Sequence, residues 1–141
     1  MRRALALMLG LTLAVGIALG MIGTQLLNAQ QKQEPIKRTV LLKTDLQGYE
    51  GQVGYQVMVD IAPGAKVSKH YHPGPVFVYV LSGGGTWQPV GNGAPAKTLK
   101  PGSTLYIEPK QVHEEVAGPS GEKVIAVFIA PKGMPLTIPV K

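Results

Sequence analysis

The chain carries three histidines, and their types and spacing are its first chemical signal. His70 and His72 lie two residues apart in a β-rich stretch, and His113 follows 41 residues after His72 in another. Successive strand side chains alternate between faces, so the two imidazoles of the pair point the same way. If the sheet curls round to bring His113 to the same place, three imidazole nitrogens make a site for a divalent transition metal. Iron, manganese, nickel, copper and zinc all accept such ligands. The competing reading is three unrelated surface histidines.

The same alternation sorts the neighbours of that trio. With His113 facing inward, Gln111 and Glu115 face inward too, and Glu114 faces away. Glu115 is therefore the candidate acid–base group or substitute ligand, against the alternative of a rim carboxylate paired with a lysine. Gln111 is a candidate polar contact. Val76, Val78 and Val80 share one face and would give the cavity an apolar wall. Tyr71, between the two histidines, turns to the opposite side, while Trp87 and Phe77 line either the cavity or the plain core.

These residues need a β-scaffold, and the sequence supplies one. Val53, Tyr55, Val57, Val59 and Ile61 alternate with less apolar neighbours up to the Pro63-Gly64 turn, the pattern of a half-buried strand. Val76 to Leu81, Leu105 to Ile107 and Val124 to Ala130 are apolar on both faces, which suits strands covered outside by another layer or another subunit. Turn signals stand at Pro73-Gly74-Pro75, Ser82-Gly83-Gly84-Gly85, Gly91-Asn92-Gly93, Pro101-Gly102 and Gly118-Pro119. No helical periodicity stands out, and Lys132 to Lys141 reads as an extended terminal segment.

Arg2 and Arg3 precede an uncharged apolar stretch from Ala4 to Leu27, the order of a secretory signal with cleavage after Ala29. An uncleaved N-terminal anchor is the alternative, because the stretch is nearly long enough to span a bilayer. Residues 30–35 read as a linker and 36–141 as a single β-domain. Without residues 1–29, 12 basic and 8 acidic side chains remain. That excess is scattered and lacks interleaved aromatics, so nucleic-acid binding is not expected. The absence of cysteine excludes disulfides and thiolate ligands, leaving nitrogen and oxygen donors for any metal.

The histidine segments resemble the two motifs of the cupin superfamily. Gly64, five residues, His70-Tyr71-His72, Val76 and then Gly83 follow the first motif; Gly102, Pro109 and His113 follow the second, with 18 residues between Gly83 and Gly102. The resemblance implies an all-β fold: a conical β-barrel, or double-stranded jelly roll, in one domain. Val76 stands where the family pattern has a metal-binding Glu, Lys110 where a turn glycine is usual, and Ala117 where Asn is frequent. It implies a metal site of His70, His72 and His113, with Fe(II) favoured, and a homodimer. The expected activity is that of an exported dioxygenase-like oxidoreductase on a small anionic or enolisable molecule. Two rival readings stay open: a non-catalytic binding module for a small ligand or metal, and a barrel that has lost its metal.

Overall fold

The computed structural model describes residues 35–91 and 93–140, so the signal or anchor expected over 1–29 and most of the linker lie outside the described residues. Eight strands follow one another: β1 (Ile36–Asp45), β2 (Gln52–Ile61), β3 (Lys66–Tyr71), β4 (Val76–Pro89), β5 (Lys97–Leu99), β6 (Thr104–Ile107), β7 (His113–Pro131) and β8 (Ile138–Pro139). All pair antiparallel, in the order β1-β2-β7-β3-β8, with β4 bonded to β5, β6 and β7. There is no helix among the described residues.

In β2 the expected alternation holds: Val53, Val57, Val59 and Ile61 are buried and Tyr55 half-buried. In β4 only one face is buried. Val76 and Val80 go into the core and Val78 is half-buried, whereas Phe77, Tyr79 and Leu81 point out, and Tyr106 of β6 joins them on the outside. The two-sided burial expected of this run is thus not provided within a single chain.

Two expected turns are absent, and each is instead a bend within a long strand. Gly83-Gly84-Gly85 lies inside β4, and Gly118-Pro119 lies inside the 19-residue β7. These glycines form a shared corner. The β4–β7 register slips between Gly83 and Gly85, and Gly83 and Gly84 adopt positive φ of 70° and 147°. A Cβ on Gly83 would strike the carbonyl of Gly121, and one on Gly84 that of Leu99. Only glycine combines that backbone conformation with that approach, so what looks like turn composition is a pair of β-bulges bending two long strands together. Beyond the corner β7 changes partners: residues before it pair with β3, and residues after it pair with β2.

Candidate metal centre

His70 lies near the end of β3, His72 directly follows that strand, and His113 opens β7 opposite His70 in the ladder. All three rings are buried, at 2–6% exposure. Their centroids are 4.2–5.0 Å apart, and one nitrogen from each lies within 4.8 Å of the others. Small side-chain adjustments bring such atoms to the roughly 3 Å separations of nitrogens sharing one ion. This is the convergence the spacing suggested, and it excludes three scattered surface histidines.

The hydrogen bonds decide which nitrogen is available. His70 Nδ1 lies 2.7 Å from the Ser68 carbonyl, His72 Nδ1 2.7 Å from that of Leu136, and His113 Nδ1 2.9 Å from that of Gln111. A carbonyl only accepts, so each Nδ1 donates its hydrogen and each Nε2 keeps its lone pair. Backbone anchoring of the second ring nitrogen is what orients metal-bound imidazoles. Burial keeps the rings neutral: it pushes His72 and His113 down to about 4 from the ordinary 6.5 and lowers His70 as well, outweighing the opposing backbone hydrogen bonds. A buried, neutral set of three pre-oriented nitrogens fits a transition metal.

The rings open into a cavity of about 60 Å³ whose wall is otherwise mostly apolar. Val76 and Val78 line it, as does Glu115. Gln111 does not. It lies before β7 rather than on it, and its side chain accepts a hydrogen bond from the Glu108 N–H and faces an outer groove, so strand alternation does not extend to it. What Gln111 brings to the site is its carbonyl. Glu114 faces out, paired with Lys66 at 2.8 Å. Trp87 is buried against His113, ring centroids 5.6 Å apart, with an indole N–H that has no partner, whereas Phe77 stacks on Tyr106 outside.

Glu115 faces another carboxylate rather than a lysine. Burial, together with the hydrogen bond and negative charge of Glu122, raises its pKa to about 9, so Glu115 holds its proton at neutral pH. Glu122 is only 4% exposed, and among the described residues no donor other than the Glu115 carboxyl faces its oxygens.

Four contributors carry no signal in the local pattern: Arg38 of β1 and Thr137, which line the cavity, the Leu136 carbonyl, and Glu122. Each reaches the site through pairing between distant segments. The segment after β7 returns so that β8 pairs with His70 and Tyr71, which sets Leu136 over His72.

A single antiparallel barrel with a buried three-histidine centre defines a class of small β-barrel proteins able to hold a metal ion. Residues 57–130 match the Cupin domain family model, and the chain belongs to the cupins. A cupin-like protein from Thermotoga maritima is 30% identical, over 74% of this chain and 75% of its own, with a TM-score of 0.54. An uncharacterized conserved protein with a double-stranded β-helix domain from Klebsiella pneumoniae is 23% identical, over 79% and 90% of the two chains, with a TM-score of 0.57. The polyketide cyclase RemF from Streptomyces resistomycificus is 19% identical, over 77% and 72%, with a TM-score of 0.58. The last two likenesses bear on the fold alone. No curated protein sequence matches the chain.

Proposed function

We propose that this cupin is a metal-dependent oxidoreductase of dioxygenase type, acting outside the cytoplasm on a small anionic or enolisable compound. The observation that carries this reading is the set of three Nδ1–carbonyl hydrogen bonds, which leaves three neutral Nε2 atoms for a metal. Such a centre adds no negative charge to a divalent ion, and a unit of uncompensated charge is worth several kcal/mol at these distances. Anionic ligands are favoured accordingly. When bound, the ion supplies Lewis acidity and, if it is Fe(II), chemistry with dioxygen.

The chain's own residues do the rest. His70, His72 and His113 are the residues that would hold the ion. Val76, in place of a carboxylate, keeps the cavity wall apolar and the centre's charge undiminished. The cavity admits a compact molecule or a few waters rather than a polymer. Glu115, two residues beyond His113 on the same face, is the group that gives or takes a proton.

Elemental analysis of anaerobically prepared protein tests the centre: near-stoichiometric transition metal is expected, and its loss in His70→Ala. Equal metal content in both proteins refutes it. Oxygen uptake across diketones, thiols and flavonols tests the activity. Saturable binding with no oxygen consumed would instead mark a binding module.

A further inference from the structure

Arg38 stands on β1, an edge strand whose side chains from Lys37 to Asp45 are all exposed, yet it lines the histidine cavity. In the ladder Arg38 lies opposite Val59, which is buried and lines the same cavity, so the register places the arginine on the inward face of β1. Among the described residues no carboxylate pairs with its charge. The ion pairs among the described residues join Lys66 to Glu114, Lys123 to Asp60 and Lys132 to Asp45, and none includes Arg38. Inside the cavity the one carboxyl is that of Glu115, which faces Glu122.

From this placement we infer that Arg38 is the anion-recognition residue of the site, and that the natural ligand is a small carboxylate with a second oxygen donor. The inference rests on the reading of the three histidines as a metal centre. A carboxylate placed between the guanidinium and the ion would neutralise both. The second oxygen donor, a carbonyl, enolate or further carboxylate, would add a ligand to the ion. An arginine suits this role because its planar fork of N–H groups matches two carboxylate oxygens, and charge-assisted bonds of that kind are stronger than neutral ones. An unpaired cation beside a metal centre with no negative ligand is otherwise an unfavourable arrangement. Lys37, the neighbour on the same strand, does not line the cavity and provides the contrast.

The test uses the full chain loaded with zinc, and two probes of similar size: malonate and its neutral diamide, malonamide. Zinc content is measured for every protein, and probe affinity by titration calorimetry. The wild type should bind malonate more tightly than malonamide. Arg38→Gln should lose tenfold or more in malonate affinity with zinc content and malonamide affinity unchanged, and Arg38→Lys should recover part of the loss. Lys37→Gln removes the same charge from the same exposed strand and should behave as wild type. Full zinc content with equal malonate affinity in wild type and Arg38→Gln overturns the inference alone, as does an equal loss in Lys37→Gln or equal wild-type affinity for the two probes. A wild type that takes up no zinc overturns the metal centre and this inference with it.

Discussion

Replacing Glu115 by Gln should make the metal-free protein more stable, by an amount that grows with pH. Glu115 titrates near 4.5 in an unfolded chain and at about 9 in the fold, raised by burial and by Glu122. The folded state therefore binds the proton more tightly than the unfolded state does. The contribution of that proton is complete below the unfolded value and is lost as pH rises toward the folded value. Each pH unit in this window costs the wild type about 1.4 kcal/mol, so from pH 4.5 to 7.5 the ceiling is about 4 kcal/mol. The coupling of Glu115 to its neighbour spreads its titration, so a gain below that ceiling, about 2 kcal/mol, is expected. Glutamine does not titrate, and its amide N–H can donate to the otherwise unpartnered oxygens of Glu122. Urea unfolding followed by the fluorescence of Trp87, the only tryptophan, measures the difference at pH 4.5, 6, 7.5 and 9. Stabilisation absent at pH 4.5 and about 2 kcal/mol at pH 7.5 is expected. A difference that stays flat with pH, or a variant less stable throughout, refutes the carboxyl pair. Oxygen-consuming activity should fall in the same variant, since the strained group is the one placed to move a proton.

Because burial holds His72 and His113 neutral down to about 4 and lowers His70 too, zinc affinity measured by competition should fall by less than about tenfold between pH 7 and 5.5. Two ordinary imidazoles would lose about a hundredfold over that interval, and such a loss would contradict the lowered values. Lys110 holds φ at 63°, the left-handed region, while its N–H donates to the His72 carbonyl. Lys110→Gly relieves that strain, and after the extra freedom glycine gives the unfolded chain it should stabilise by up to about 1 kcal/mol in urea unfolding; a destabilised variant removes the strain argument. Phe77, Tyr79 and Tyr106 leave an exposed aromatic cluster on one chain, the kind of patch that marks a subunit contact. Light scattering should report twice the chain mass, with Phe77→Asp returning the single chain; a monomeric wild type refutes the dimer.

The histidine pair was legible because it depends on a local rule. A two-residue repeat places His70 and His72 on one face wherever the strand goes, and the same rule located Glu115 and the apolar wall at Val76 and Val78. It failed where the strand stopped, at Gln111, and where glycine composition had two meanings, at Gly83 to Gly85 and Gly118. A turn and a bulge demand the same residue for the same backbone reason, and only the pairing of β4 with β7 separates them.

His113 meeting the pair required a match to two spaced motifs, since no local pattern says which distant strand will lie alongside β3. The sequence by itself determined the strands, their inward faces and the kinds of donor available to a metal. Tertiary structure alone decided that an arginine on the first strand reaches the cavity, that the returning C-terminal segment sets a carbonyl against His72, and that Glu115 faces Glu122. Those three outcomes come from register between segments far apart in the chain. Register is chosen by the packing of the whole barrel, where one slipped residue would turn each of these side chains to the other face.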